Sequence, residues 1–364
     1  MGGSGSIRWA LWGDRFWIRS CVVEQPGLVA RGRWDCRMFR RGVGLREMSE
    51  ISGRLVSLLL KERAGPSLTK ESAMLRVTCW GTRGSTPVSG PQFMRHGGAT
   101  TCLEIELVGA DGETPRRVVM DCGTGLSAMG RRRPVREALV LQTHMHQDHI
   151  QGFPLFGPLF DELARFRFLA ARRDGQGLEE VLGAHMARPL FPVPLQALPA
   201  SLTFEEIPKA GERSFGEARV RWIEVDHPSG STAFRVDYGG RSVVFSGDVE
   251  IGDDDDGLVE LSRGADLLIM DAQYLPQEYP SRRGFGHSTP ETAVETAMKA
   301  GVGRLLLTHH DPGHDDVTLE MKAMIAKQAV ARRGGCLVVE NARDGLEVLA
   351  GAPLVSFDGM EVRV

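Results

Sequence analysis

The chain has 364 residues, with 42% hydrophobic and 25% charged residues and a formal net charge of -3, which predicts one large or two ordinary domains around a packed core. This charge gives no general reason to expect tight nucleic-acid binding, and no apolar run is long enough to span a membrane. The six cysteines are widely spaced and indicate buried thiols in a reducing compartment, so we expect a cytoplasmic protein without a membrane partner.

Residues 1–73 differ from the rest of the chain because they are rich in Gly, Arg and Trp and show no sustained hydrophobic period. A helix is predicted around residues 47–62. The segment is either a mis-called extension, with the natural start at Met74 or Met48, or a genuine, partly ordered appendage, and we favour the first. We therefore predict an N-terminal extension over 1–73 and one folded domain over 74–364.

From Met74 onward the sequence predicts strands first and then strands mixed with helices. The predicted strands are 75–80, 101–107, 116–121, 138–143, 165–171, 218–226, 232–237, 241–246, 266–271, 304–308 and 336–340. The predicted helices are 177–186, 289–300 and 317–333. The polar motifs follow the ends of apolar strands, which is where a sheet scaffold presents functional groups.

The most informative of these motifs lies directly after the apolar strand at 139–141. It reads Thr143-His144-Met145-His146-Gln147-Asp148-His149 and places three of the chain's 10 histidines within six residues. In an extended segment His144 and His146 point to the same side and can bind one metal ion, and after a turn Asp148 and His149 can bind a second. Imidazole nitrogen and carboxylate oxygen are ligands that zinc accepts. The alternative is a solvated loop that happens to contain three histidines.

Three further polar residues each follow an apolar strand: His227 after 220–225, Asp248 after 243–247 and His309 after 304–308. Any one of them alone would more often be a structural residue. Three in succession after an HxHxDH motif favour a shared metal site.

This order of residues resembles the metallo-β-lactamase fold superfamily over roughly residues 74–350. The resemblance implies an α/β fold, a four-layer αββα sandwich, with two divalent metal ions at one edge of the two sheets. It implies two sets of three ligands: His144, His146 and His227 for one ion, and Asp148, His149 and His309 for the other.

The same resemblance implies that Asp248 bridges the two ions and that Asp121 supports the ligand loop without binding metal. His310 in place of His309 is an alternative for the last ligand. Zinc is the expected metal, although nitrogen and oxygen ligands also fit manganese or iron.

Two further features indicate a branch of the superfamily. An aspartate at the bridging position is typical of phosphodiesterase-like members. The segments 267–274, with Asp271, and Gly286-His287-Ser288-Thr289 resemble the acidic loop and the His-Ser-Thr element of the RNase Z and cyclic phosphodiesterase-like group. We therefore expect a phosphodiester to be cleaved by a metal-bound hydroxide, with His287, kept charged by Asp271, protonating the leaving oxygen.

The catalytic residues predicted in this way are Asp148, His287 and Asp271. For His287 the alternative is a histidine bonded locally at a helix start. In the segment 80–87, Arg83, Ser85 and Thr86 either contact substrate phosphate or build a turn. The acidic run 253–256 is predicted to be a solvated loop, with a calcium site as the alternative.

The chain departs from RNase Z because residues 150–202 contain no long Gly/Pro-rich arm. The apolar segments 153–160 and 191–195 instead predict a lid or a homodimer face. We therefore expect a small phosphodiester, a cyclic nucleotide or a cyclic sugar phosphate, and no stable nucleic-acid partner. The alternatives are an RNase Z-type tRNA 3′ endonuclease, a lactonase or thioesterase on the same fold, or a metal-containing binding module without turnover.

Overall fold

The computed structural model describes residues 5–12, 15–25, 28–32, 73–109, 115–133, 135–252, 256–351, 355–357 and 360–362. It divides into two units, Met1–Thr69 and Lys70–Val364. The helix predicted around 47–62 and residues 253–255 of the acidic run lie outside the described residues.

The first unit contains an antiparallel sheet of three strands, β1 (Gly5–Trp12), β2 (Arg15–Gln25) and β3 (Leu28–Gly32), in that order. Gln25 pairs with Leu28 at the end of the β2–β3 ladder. We predicted none of these strands, because no period of two stands out in this part of the sequence.

The second unit is built on two seven-stranded sheets. Sheet I contains, in spatial order, β17 (Glu347–Leu349), β4 (Met74–Gly81), β5 (Cys102–Val108), β6 (Arg116–Met120), β7 (Glu137–Gln142), β8 (Arg165–Ala170) and β9 (Ser201–Glu206). Sheet II contains β10 (Ala210–Phe215), β11 (Ala218–Val225), β12 (Ser231–Tyr238), β13 (Arg241–Phe245), β14 (Leu267–Asp271), β15 (Arg304–Thr308) and β16 (Val338–Asn341). A separate two-stranded ribbon pairs β18 (Val355–Phe357) with β19 (Met360–Val362).

The main core lies between the two sheets, and alternation along the strands produces it. In β14, Leu267 and Ile269 face this core, while Leu268 and Met270 face the helices on the other side. Parallel strands that are covered on both faces are expected to be continuously apolar. For this reason the central strands were the easiest elements to predict from the sequence.

Helices cover the outer face of each sheet. Sheet I carries α1 (Thr124–Arg132), α2 (Gln147–Ile150) and α3 (Leu178–His185), and sheet II carries α4 (Gly257–Ser262), α5 (Pro290–Ala300) and α6 (Asp316–Arg332). The four layers confirm the predicted αββα sandwich, and α3, α5 and α6 confirm the three predicted helices. Among the described residues, no helix is long and apolar enough to cross a membrane.

The apolar segment 153–160 does not form the predicted lid. Phe153, Phe156 and Leu159 are buried in the core between sheet I and its helices. Only Leu155 and Phe160 in this segment are large exposed hydrophobic residues. Its apolar character therefore comes mainly from packing under α1, whereas a homodimer face remains a prediction.

Candidate metal centre

The side chains of the predicted site meet at one edge of the sandwich. β7, β13, β14 and β15 belong to parallel pairs in the two sheets, so their carboxyl ends collect functional residues at a common edge. At this edge Asp121 and His309 have backbone φ angles of 62° and 54°. Non-glycine residues rarely adopt this left-handed conformation, and such strain concentrates at functional sites.

A first cluster consists of His144, His146 and His227, whose ligand atoms all lie within 4.8 Å of one another. His146 Nδ1 lies 3.2 Å from His227 Nε2. His144 Nε2 is buried and has no hydrogen-bond partner among the described residues. A buried ring nitrogen without a partner is costly, and a metal ion would satisfy it.

A second cluster consists of Asp148, His149, Asp248 and His309, again within 4.8 Å of one another and all buried. Asp148 Oδ2 lies 3.2 Å from His149 Nε2 and 3.1 Å from His309 Nε2. The two histidine Nε2 atoms are themselves 3.4 Å apart. Two imidazole nitrogens and two carboxylates converging on one point form a donor set that suits a divalent cation.

Asp248, a member of the second cluster, also faces the first. Its Oδ2 atom is 3.2 Å from His149 Nε2 and 3.0 Å from His309 Nε2, and 3.5 Å from His144 Nε2 in the first cluster. The same oxygen is 4.0 Å from His227 Nε2. One carboxylate oxygen therefore faces both clusters, as the predicted bridging role requires.

The histidine ring nitrogens that face away from the clusters are held by fixed acceptors. His149 Nδ1 lies 2.8 Å from Asp121 Oδ2, and His227 Nδ1 lies 2.8 Å from the Gly286 carbonyl oxygen. His309 Nδ1 lies 2.9 Å from Gln273 Oε1. Donation through Nδ1 fixes each ring and turns Nε2 toward the cluster. Asp121 thus has the supporting position that we predicted, whereas no pattern in the sequence pointed to Gln273.

The electrostatics of the second cluster favour cations. Although burial disfavours a charged ring, the Asp248, Asp148 and Asp121 carboxylates raise the pKa of His149 well above its usual value. Against the same burial effect, Asp248 and Asp148 raise the pKa of His309 to about 10. Carboxylates that stabilise two imidazolium ions here would equally stabilise a bound divalent ion. The two clusters therefore fit two divalent cations.

Asp271 and His287 form a pair beside the second cluster. His287 Nδ1 lies 2.8 Å from Asp271 Oδ2, and the His287 ring stacks on the His309 ring at a centroid distance of 4.8 Å. Asp271 is fully buried and also accepts hydrogen bonds from the Val249 and Gln273 amides. Asp248, Asp271, His287 and His309 are also close enough together to hold an ion, so His287 has two chemically reasonable roles.

Two sequence-based alternatives are resolved by position. His310 Nε2 lies 2.9 Å from the Ala342 carbonyl oxygen and is not part of either cluster, whereas His309 is a member of the second cluster. Arg83 is fully buried and donates to the carbonyl oxygens of Gly97 and His314, contacts that favour the turn-building role over the phosphate-binding one. The Ser85 amide donates to Asp148 Oδ2 at 2.7 Å.

A buried lysine supports the loop that follows β14. Lys322 on α6 is fully buried, and its Nζ donates to the carbonyl oxygens of Ala272 and Gln273 at 2.7 and 2.9 Å. Burial lowers the pKa of Lys322 from 10.5 to about 7. The lysine thus holds the backbone that carries Asp271 and Gln273, although it contacts neither metal cluster.

We expect Lys322→Met to reduce stability in a pH-dependent way. The folded-state pKa lies below the unfolded value, so unfolding takes up protons between pH about 7 and about 10.5, and wild-type stability rises with pH in this window. At a pH of about 9.5 the variant, which leaves two carbonyl groups without a donor, should be less stable by about 2 kcal/mol. Urea unfolding at several pH values measures this difference.

The exposed Lys327 on the same helix provides the control, because Lys327→Met removes a lysine without removing a buried donor. A stability difference between wild type and Lys322→Met that stays constant from pH about 7 to about 9.5 would contradict the role of this lysine.

Comparison with known proteins adds three kinds of similarity. The family model of the Beta-lactamase superfamily domain matches residues 116–310. Ribonuclease Z of Gemmatimonas aurantiaca is 27% identical over 276 residues, covering 62% of this chain and 86% of that protein. Ribonuclease Z of Brevibacillus brevis is 42% identical over 77 residues, which are 21% of this chain and 23% of that protein.

Solved structures share the fold. The metallo-beta-lactamase fold protein YhfI from Bacillus subtilis has a TM-score of 0.58 at 21% identity, covering 76% of this chain and 100% of that one. Human tRNase Z, short form, has a TM-score of 0.54 at 20% identity, with 76% and 100% coverage. A diphosphatase from the PhnP family has a TM-score of 0.54 at 20% identity, with 75% and 97% coverage. At these identities the likeness shows the fold alone.

Proposed function

We propose that this chain, which belongs to the beta-lactamase superfamily and is a metal-dependent hydrolase, cleaves a small phosphodiester. The substrate would be either a cyclic nucleotide or a cyclic sugar phosphate. The observation that carries the proposal is the Asp271–His287 pair beside two clusters that share Asp248. Such a pair is suited to protonating a poor leaving group, as phosphodiester cleavage requires.

Two divalent cations, which we propose to be zinc, would supply Lewis-acid activation of water and neutralise the phosphoryl charge. His144, His146 and His227 would hold one ion, and Asp148, His149 and His309 the other, with Asp248 shared. Manganese or iron would fit the same nitrogen and oxygen ligands.

The remaining roles belong to side chains of this chain. Asp271 accepts the hydrogen bond from His287 Nδ1 and so leaves Nε2 as the ring nitrogen that can donate a proton. In the protonated state His287 Nε2 would give its proton to the leaving oxygen, while Asp271 balances the charge of the imidazolium ring. Asp121 and Gln273 keep the His149 and His309 rings in place.

An RNase Z-type activity on tRNA precursors is the second candidate. It is favoured by the 27% identity to Gemmatimonas aurantiaca ribonuclease Z, which extends over 86% of that protein. Against it, residues 150–202 form short helical turns, β8, α3 and the start of β9, and many of their apolar side chains are buried in the core between sheet I and its helices. We therefore place the small phosphodiester first.

A substrate screen with zinc- and manganese-reconstituted protein tests the proposal. The substrates are bis(p-nitrophenyl) phosphate, 2′,3′- and 3′,5′-cyclic nucleotides, ribose cyclic phosphates and a tRNA precursor with a 3′ trailer. We expect turnover of at least one cyclic phosphodiester, removed by a chelator and restored by metal. Processing of the tRNA precursor alone would favour the second candidate, and turnover of none of these substrates would refute both.

A further inference from the structure

The connection between β14 and α5 exposes an aromatic ring and guanidinium groups beside the metal centre. Phe285 is 52% exposed, although large hydrophobic side chains are usually covered. The Arg282 guanidinium carbon lies 5.8 Å from the centre of the Phe285 ring and 5.8 Å from the centre of the Tyr274 ring. Cation–π contacts of this kind hold a guanidinium in place and leave its N–H donors free.

The loop that carries Phe285 and Arg282 contacts the first cluster through His227. The Gly286 carbonyl oxygen accepts the hydrogen bond from His227 Nδ1, so Phe285 is next in sequence to a residue that orients a candidate ligand. Gly286 has a φ of 87°, and a Cβ atom there would lie 2.3 Å from His227 Nδ1. The approach is therefore closer than any side chain at this position would allow.

A carboxylate fixes the same loop from the other side. Glu250 accepts hydrogen bonds from the Gly284 amide at 2.9 Å and the Gly286 amide at 2.8 Å, and from the Tyr279 hydroxyl at 2.8 Å. These bonds hold the backbone on both sides of Phe285. Its exposed ring is consequently displayed from a fixed backbone, which lowers the entropic cost of binding a ligand to it.

Arg282 is also close to the catalytic pair. The Tyr274 ring packs edge-on to the His287 ring at 5.6 Å, so a single aromatic ring separates the guanidinium from that histidine. Neither Arg282 nor Arg283 forms an ion pair with a carboxylate in the part of the chain that the structure describes. Arg282 therefore keeps its capacity for an anionic ligand, and phosphate oxygens match guanidinium geometry.

We propose that Phe285 and Arg282 form a nucleotide subsite, in which the base stacks on Phe285 and Arg282 donates to a phosphate oxygen. The proposal rests on the proposed function and narrows it to a nucleoside phosphodiester, as opposed to a cyclic sugar phosphate. Aromatic rings bind any base through its π face, and arginine recognises phosphate without reading the base. The subsite therefore predicts a requirement for a base with little preference among bases.

The test compares two substrates that differ only in the base: adenosine 2′,3′-cyclic phosphate and methyl riboside 2′,3′-cyclic phosphate. Phe285→Ala should lower kcat/KM for the adenosine substrate about tenfold and leave the base-free substrate within about twofold. Phe285→Trp should retain the preference for the base. Arg282→Gln should lower kcat/KM for both substrates to a similar extent, because the phosphate is common to them.

Leu163→Ala is the matched control, because Leu163 is 59% exposed and lies just before β8, at the opposite end of that strand from the site. This variant should leave kcat/KM for both substrates unchanged. Equal effects of Phe285→Ala on the two substrates, or none on either, would overturn the subsite.

A binding measurement separates failure of this subsite from failure of the proposed function. If neither cyclic phosphate is turned over, the proposed function fails for them, and calorimetry with AMP and ribose 5-phosphate on zinc-loaded protein still tests the subsite. The subsite is supported if Phe285→Ala weakens the binding of AMP about tenfold and leaves the binding of ribose 5-phosphate unchanged. An unchanged affinity for AMP refutes it.

Discussion

Replacing His146 with alanine should abolish hydrolysis and release metal from the first cluster. His146 is one of three candidate nitrogen ligands in that cluster, together with His144 and His227. Lewis-acid activation contributes several kcal/mol to such reactions, so we expect kcat to fall by about 1,000-fold or more. The metal content, determined by mass spectrometry after dialysis, should fall together with the activity.

The exposure of His146 makes this experiment interpretable. Removing an exposed side chain creates no buried cavity, so the thermal unfolding midpoint of the metal-free protein should change little. Gln147→Ala is the control at the next position, which is also exposed, and should retain metal and activity. A His146→Ala variant that keeps both metal equivalents and full activity would exclude His146 as a ligand.

His287→Ala should slow the reaction by about 100-fold to 10,000-fold, the usual contribution of a general acid, while both metal ions remain bound. The size of the loss should depend on the leaving group. A cyclic nucleotide releases an alkoxide and needs the proton, whereas bis(p-nitrophenyl) phosphate releases a stable phenolate and should lose much less activity. Parallel measurement of kcat for the two substrates, with metal analysis of the same samples, tests this expectation.

Asp271→Asn provides the companion variant, since Asp271 holds His287 through a bond of 2.8 Å. Asp271→Asn should show the same dependence of the loss in kcat on the leaving group, with smaller losses. Loss of a metal ion from His287→Ala would instead assign His287 to the third group of potential ligands, with Asp248, Asp271 and His309. An equal loss for both leaving groups would also contradict the role as an acid.

The metal centre was predictable because each candidate ligand follows a buried strand. The strands that lead into Asp248 and His309, and the one that ends with Asp271, are short apolar runs, and adjacent parallel strands must end at the same edge. The resemblance to a known superfamily then supplied the division into two clusters. The positions of His144, His146 and His227 in the structure agree with that division.

The supporting residues were not predictable, because their partners are distant in the sequence. Lys322 lies within a helix and contacts backbone about 50 residues earlier, so no local pattern marks it. Gln273 is a polar residue in a loop until the fold places it on His309. β10 escaped prediction for a different reason: it is almost entirely exposed and carries no apolar alternation.

The division of candidate ligands between two sheets has a consequence for biosynthesis. The first of them, His144, follows β7 in sheet I, and the last, His309, follows β15 in sheet II. A ribosome must therefore release both sheets before a complete ligand set exists, and domains generally fold as units during synthesis. We therefore expect metal acquisition to be a late event in folding, so that a nascent chain arrested before β15 should not retain two metal ions.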